Sequence, residues 1–211
     1  MKRILRFIAV GVLLLSLSSA DANQRLKDAI KMLTPGTIAR LEAGEVVVVN
    51  QAYTDEQGNS QGQGVAMILV NKPRNEAWRH ITDYAAWPQF MPKITKATVY
   101  SRDGDQYGVE FTLKIMFKDI TFSTMRTHSP MAGCVTWVMD RSRANDIVDT
   151  QGAWMVKAHG ADKSILIYTV KVDSGFKVPK TVQEWLAGRD MPGALRAMKM
   201  RVETNGAYIK S

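Results

Sequence analysis

Residues 70–92, VNKPRNEAWRHITDYAAWPQFMP, predict a strand that passes into two short helices. Pro73 suits the first position of a helix, because its ring fixes φ and its missing amide would have no partner there. The apolar side chains that follow recur at helical spacing: Ala77, Trp78 and Ile81. Asp83 ends this helix or caps a second one, which we expect over 84–90.

Upstream of this segment, two apolar runs predict a β-hairpin. The first, 46–49, is VVVV, and the second, 65–70, is VAMILV; the stretch 54–64 between them is polar and rich in Gly and Gln. Residues branched at Cβ favour strands, and Gly-rich polar runs favour loops. Before the hairpin, 23–43 carries apolar residues at helical spacing, interrupted by Thr-Pro-Gly at 34–36, which predicts two short helices around a turn.

Downstream, apolar runs separated by short polar turns predict six consecutive strands, at 94–100, 107–117, 120–128, 135–139, 148–156 and 165–172. Strands joined by short turns pair antiparallel. A final helical pattern begins at Pro179 and carries apolar residues on one face as far as Val202. Pro192, followed by Gly193, is expected to kink or break this helix, because Pro lacks the amide donor and clashes with the preceding turn.

These elements predict one α+β domain in which a curved antiparallel sheet wraps a long C-terminal helix, with two short helices after the first core strand. We place this domain at 65–206. The preceding 23–64 is an N-terminal helical extension with an added strand. It could extend the sheet, cover the opening of a cavity or contact a partner.

Residues 1–22 have the pattern of a secretory signal peptide. Lys2, Arg3 and Arg6 form a charged start, 7–17 is apolar, and Ala-Asp-Ala at 20–22 suits a cleavage site. The apolar run is shorter than the roughly 20 residues that span a bilayer, which disfavours a membrane anchor. We therefore expect the mature chain to be periplasmic or secreted.

The composition argues against several classes of function. Lys and Arg number 28 against 20 Asp and Glu, but they are dispersed, so we expect no nucleic-acid partner. The positive charge leaves open a solvated surface or transient contact with anionic membrane lipids. Three scattered His residues and the single Cys134 match no metal motif, and we expect neither a metal nor a cofactor. Cys134 lies in an apolar run and is expected to be buried.

The order of elements and several motifs resemble the START/polyketide-cyclase (SRPBCC) superfamily, and within it the coenzyme Q-binding START-like branch. The motifs in this sequence are NKPRNEAW at 71–78, DYAAWPQFMP at 83–92, VTW at 135–137, GAW at 152–154, and a helix with Pro179, Leu195 and Arg201. The resemblance implies a helix gripped by a seven-stranded sheet, with a deep apolar cavity that binds lipids, sterols, quinones or polyketides. It does not separate carriers from cyclases and aromatases, because the fold hosts both.

Alternation of side chains indicates which residues line such a cavity. In 107–117 the odd positions are all apolar, from the first to the last, and we expect them to face inward. An unbroken register continues that face through Phe122 to Arg126 and His128. A β-bulge would instead turn Met125 inward and leave Arg126 in solvent, and both alternatives are open at this point.

The residues predicted to bind the ligand are Phe111, Ile115, Phe122, Arg126, His128, Trp137, Trp154, Tyr168, Trp185 and Met191. For the tryptophans of this set, packing of the core is the alternative to ligand contact and the one that the pattern favours. Trp78 and Trp87, on the two short helices, are expected to seal the core instead.

The sequence thus predicts an exported binding or carrier protein for a hydrophobic small molecule such as a lipid, quinone or sterol. Arg126 would hold the polar group of the ligand. Two alternatives stay open: a cyclase or aromatase that uses His128 or Arg126 as acid or base, and an accessory module whose extension contacts a protein. No catalytic residue is assigned, and the pattern does not indicate an oligomeric state.

Overall fold

The computed structural model describes residues 22–54, 60–115, 117–175 and 180–210, with side chains outside 50–63 and 180–190. The predicted signal peptide lies outside the described residues except for its last position. The helices are α1 over 22–31, α2 Pro35–Glu42, α3 Arg74–Thr82, α4 Trp87–Phe90 and α5 Lys180–Glu203, with a 3-10 turn at Tyr84–Ala86. The strands are β1 Val47–Thr54, β2 Ser60–Val70, β3 Ile94–Asp103, β4 Gln106–Ile115, β5 Lys118–Ser129, β6 Cys134–Met139, β7 Asp149–His159 and β8 Lys163–Asp173.

The strands form one antiparallel sheet in the order β1-β2-β8-β7-β6-β5-β4-β3. The predicted six-stranded meander is therefore confirmed as β3 to β8, and β2 pairs with its last strand. β1 adds an eighth strand at the edge. The predicted loop 54–64 is shorter than expected, because β2 already begins at Ser60. The polar residues at the start of β2 form a strand because their backbone pairs with β1 on one side and with β8 on the other.

The concave face of the curved sheet carries the larger core. Side chains of α3, α4 and α5 pack here against inward-facing residues of the strands, and α5 contacts β2, β1 and α3. Phe90, Leu195 and Met198 are buried almost completely. This is the α+β helix-grip arrangement predicted from the order of elements.

The N-terminal extension covers the opposite, convex face. Leu26, Ala29 and Leu41 pack on a second core formed by residues of β1, β2, β6, β7 and β8: Val47, Met67, Leu69, Cys134, Ala153, Ile165 and Ile167. The second half of β2 and the first half of β8 are consequently buried on both faces, which explains the continuous apolar runs at 66–70 and 165–167. The extension therefore adds a strand and shields the back of the sheet.

Helix α5 passes through Pro192 without ending, so a break there is wrong, while the alternative of a kink stays a prediction. Pro in a helix interior removes one hydrogen bond and crowds the preceding turn. Leu195, Met198 and Val202 beyond it are fully buried, and this packing on the sheet and α3 offsets the local cost. In the described part of the chain, no helix combines the length and the apolar character of a membrane span.

Candidate functional site: a buried arginine among aromatic rings

The pairing of β5 with β4 and β6 decides where Arg126 points. Arg126 lies opposite Tyr107 on one side and Trp137 on the other, and neither pairing shows a register shift. The unbroken register therefore applies, and the alternative of a bulge at Met125 is wrong. Arg126 faces the concave core and is only 4% exposed.

Four aromatic rings surround the guanidinium of Arg126. Its central carbon lies 4.7 Å from the ring centroid of Phe111, 4.9 Å from those of Tyr84 and Trp137, and 5.3 Å from that of Trp87. Arg is suited to this position, because its planar, weakly hydrated cation stacks on aromatic faces. The rings stabilise the charge in a place from which water is largely excluded.

The polar contacts of Arg126 are incomplete. Its Nε donates to Thr124 Oγ1 at 3.2 Å, whereas its Nη1 is buried and has no hydrogen-bond partner in the described residues. No carboxylate of the described residues forms an ion pair with it. Burial lowers the pKa of Arg126, and the nearby phenol of Tyr84 opposes this effect. A buried donor without an acceptor is costly, so an acceptor brought beside Nη1 would gain a charged hydrogen bond.

Tyr84 and His128 form a polar pair beside the arginine. The phenol oxygen of Tyr84 lies 2.6 Å from Nε2 of His128, and one of them donates to the other. The imidazole stacks on Tyr107 with ring centroids 4.0 Å apart. Burial, reinforced by the charge of Arg126, lowers the pKa of His128 to about 4, so the ring is neutral at neutral pH. Burial also raises the pKa of Tyr84, which keeps its proton.

A second aromatic group continues the site along β6, β7 and β8. Tyr168 stacks on Trp154 at 4.4 Å between centroids and on Trp137 at 5.9 Å. Gly152, opposite Trp137 on β7, makes room for the indole: a Cβ there would collide with that ring and with the carbonyl of Thr169. The absent side chain thus lets Trp137 lie flat against its neighbouring strand.

Most of the predicted ligand-binding residues come together here. Ring and cation contacts connect Phe122, Phe111, Arg126, Trp137, Tyr168 and Trp154, and His128 joins through Tyr84. Met191 is buried in the same core, on α5. Ile115, at the end of β4, is half-buried and makes none of these contacts. The side chain of Trp185 lies outside the described residues.

Sequence reasoning missed two residues of the site. Trp87 was expected only to seal the core, and Tyr84 was not considered; both contact Arg126. Their spacing of three places both rings on one face of the turn into α4, and this signal could have paired them. Phe117 was expected to face inward, which is wrong: β4 ends at Ile115, and Phe117 is 96% exposed in the turn that follows.

Cys134 lies in the convex-face core, on the other side of the sheet from Arg126. Burial raises the pKa of its thiol to about 11, so the reactive thiolate is scarce at neutral pH. It behaves as a small apolar core residue.

A curved sheet that grips a C-terminal helix, with a buried cation among aromatic rings on its concave face, belongs to the helix-grip class of α+β proteins. The sequence profile of the family "Polyketide cyclase / dehydrase and lipid transport" matches residues 70–199, and the chain belongs to this family. The resemblance to the START/SRPBCC superfamily is thereby confirmed. No curated protein matches the sequence significantly.

Solved structures share the fold at low sequence identity. The Zhui aromatase/cyclase from Streptomyces sp. R1128 aligns with a TM-score of 0.59 and 14% identity over 76% of this chain and 96% of its own. The STAR-related lipid transfer protein from Xanthomonas axonopodis aligns with a TM-score of 0.59 and 11% identity over 72% of this chain and 98% of its own. Human STARD10 aligns with a TM-score of 0.59 and 12% identity over 79% of this chain and 77% of its own. At these identities the likeness establishes the fold alone.

Proposed function

We propose that this protein is an exported carrier or binding protein for a hydrophobic small molecule that bears one anionic or carbonyl group. The body of the ligand, such as a lipid, quinone or sterol-like molecule, would lie against the aromatic wall between sheet and α5. Its polar group would accept a hydrogen bond from Arg126. Binding would come mainly from apolar burial at roughly 25 cal/mol per Å², with the arginine setting the orientation.

The observation that carries this proposal is the buried Nη1 of Arg126, which lacks a partner among the described residues. A cation in a packed core is normally paired with a carboxylate. Among the described residues, aromatic rings surround it instead, and such a site suits a ligand that is apolar over most of its surface. The lipid-transport members of the family and the lipid transfer protein from Xanthomonas axonopodis support the same class of cargo.

Native mass spectrometry of protein purified from its natural host tests the proposal. We expect the mature chain to carry one small molecule whose extract contains a lipid, quinone or sterol-like compound. Ligand-free preparations that also fail to bind a panel of fatty acids, quinones and sterols would contradict it.

Export is a separate part of the proposal, supported by the charged start, apolar run and Ala-Asp-Ala of 1–22. N-terminal sequencing and cell fractionation test it. We expect a chain that begins near Asn23 and occurs in the periplasm or the medium. A full-length chain that stays in the cytoplasmic or membrane fraction would contradict export without affecting the ligand proposal.

An aromatase or cyclase is the second candidate, favoured by one observation. The neutral imidazole of His128 and the phenol of Tyr84 share a hydrogen bond beside a cation that could stabilise an enolate oxygen. Incubation with a linear poly-β-ketone thioester, followed by product analysis, separates the candidates. The enzyme forms a ring and needs His128, whereas a carrier returns the compound unchanged.

A further inference from the structure

The turn between β4 and β5 exposes an aromatic side chain without cover. Ile115 pairs directly with Lys118, and Phe117 lies in the turn between them. Phe117 is 96% exposed there, which is far from the usual state of a phenylalanine. A projecting aromatic residue at the tip of a hairpin is the kind of group that enters the boundary between lipid headgroups and acyl chains.

The same hairpin carries the inner wall of the site. Phe111 and Val109, deeper on β4, are 2% and 0% exposed, whereas Leu113 and Ile115 towards the tip are half-buried. Phe122, opposite Phe111 on β5, is also half-buried. Ile120, opposite Leu113, is the exception and is buried. The apolar inner face of this hairpin is thus most accessible near its tip, at the end that presents Phe117.

Positive charge collects around this tip. The tip patch, as we name it, comprises Phe117 and the lysines Lys93, Lys114, Lys118 and Lys210. The backbone amide of Lys114 donates to the backbone carbonyl of Lys93, and the amine of Lys210 donates to the carbonyls of Met91 and Ile94. Two carboxylates lie nearby: Asp119 is 3.2 Å from Lys114, and Asp146 accepts from the backbone of Thr121. Among the described residues, four lysines against two aspartates give this end of the hairpin a net positive charge.

We infer that the tip patch docks on an anionic lipid bilayer, with Phe117 inserted below the headgroups and the exposed amines of Lys114 and Lys118 facing lipid phosphates. Docking in this orientation brings the accessible inner face of the hairpin to the membrane, where an apolar ligand would pass without crossing water. This second step rests on the proposed carrier function, whereas docking itself does not. Charge and apolar insertion act together, because each lysine near an anionic surface adds attraction and the ring adds buried apolar area.

Co-sedimentation with vesicles tests docking. The vesicles contain either phosphatidylcholine alone or equal parts of phosphatidylcholine and phosphatidylglycerol. We expect the native mature chain to prefer the anionic vesicles and to lose binding at high salt. Phe117→Asp should reduce the partition coefficient roughly tenfold, since it removes a buried ring and adds a repelled charge.

Met131 offers a matched control, because it is 93% exposed in the turn at the other end of β5. Met131→Asp makes the same change of charge and should bind vesicles like the native chain. Lys118→Glu should weaken binding to the anionic vesicles only. Equal loss in both aspartate variants, or no binding by the native chain, would overturn docking at the tip patch.

Ligand transfer is measured separately, with a fluorescent fatty acid that moves from protein to vesicles. We expect Phe117→Asp to slow transfer roughly tenfold while its affinity for the fatty acid in solution is unchanged. If neither the native chain nor Phe117→Asp binds any apolar probe, but vesicle binding still depends on Phe117, the carrier proposal fails and docking stands. If the native chain binds the probe, but Met131→Asp loses vesicle binding as much as Phe117→Asp does, docking at the tip patch fails and the carrier proposal stands.

Discussion

Nε2 of His128 lies 2.6 Å from the phenol oxygen of Tyr84, although β5 and the turn before α4 are far apart in the chain. The contact ties the short helices to the wall of the sheet beside Arg126. The pKa of His128 is lowered to about 4, chiefly because the ring is buried and secondly because of the charge of Arg126. The pKa of His128 therefore depends both on the packing of the site and on its charge.

The first prediction concerns stability at acid pH. His128 titrates at about 4 when folded and near 6.5 when unfolded, so between these values the unfolded chain binds a proton that the folded chain does not. The free energy of unfolding should therefore fall as the pH drops from about 6.5 towards 4, and be fully retained above that range. Urea denaturation across this range measures it.

His128→Gln keeps a hydrogen-bonding group near Tyr84 but cannot titrate, and it should flatten this dependence. The buried His80 also has a lowered pKa, for which burial is the main cause, so His80→Gln is the comparison that removes only its own contribution. An unchanged slope in His128→Gln would contradict the assignment.

The second prediction separates the affinity of the site from its stability. Arg126→Leu should weaken the binding of a carboxylate- or carbonyl-bearing apolar ligand by about 1.5–3 kcal/mol, the usual worth of a charged hydrogen bond. The ligand-free variant should be no less stable than the native chain, because an apolar group replaces a buried cation that has no ion-pair partner among the described residues. Isothermal titration and thermal unfolding measure the two effects. Arg141→Leu, at an exposed ion pair with Asp149, is the control and should change neither appreciably.

The third prediction tests the close approach of Trp137 to β7. Gly152→Ala places a Cβ against the indole and the carbonyl of Thr169, so it should destabilise the fold by about 1–3 kcal/mol and change the near-UV circular dichroism of the tryptophans. Gly193→Ala is the opposite case, because the nearest atom to its added Cβ is on Pro92 at 3.8 Å, an ordinary contact. In the interior of α5 it should stabilise by about 0.5–1 kcal/mol. The same sign for both variants would refute this account.

The fourth prediction concerns the convex-face core. Leu41, on α2 of the N-terminal extension, is 1% exposed, so Leu41→Ala should lower the free energy of unfolding by about 2–4 kcal/mol. Ligand affinity should stay unchanged at temperatures where the variant is folded, because Leu41 and Arg126 lie on opposite faces of the sheet. Val49→Ala, 46% exposed on β1, should cost far less. A loss of affinity in Leu41→Ala would show that the two cores are coupled.

Much of the fold was readable from local pattern. Periodicity and turn residues predict α3, α4 and the strands β3 to β8, because these signals act within a few residues. Boundaries were less accurate where tertiary pairing extends an element: the polar start of β2 is a strand because β1 and β8 flank it. Helix α5 likewise continues through Pro192 because its far half is buried.

The sequence by itself determined the class of fold, the presence of a wall of aromatic residues and the two possible orientations of Arg126. Only the tertiary structure decided between these orientations. A β-bulge depends on how both neighbouring strands pair, and the sequence of one strand does not reveal this pairing. The tertiary structure also placed Tyr84 and Trp87 against the guanidinium of Arg126 and left Phe117 exposed to solvent. The way the sheet curves around the helices determines which side chains are in contact. Side-chain alternation is a property of one strand, whereas the partners of a buried charge come from several elements at once.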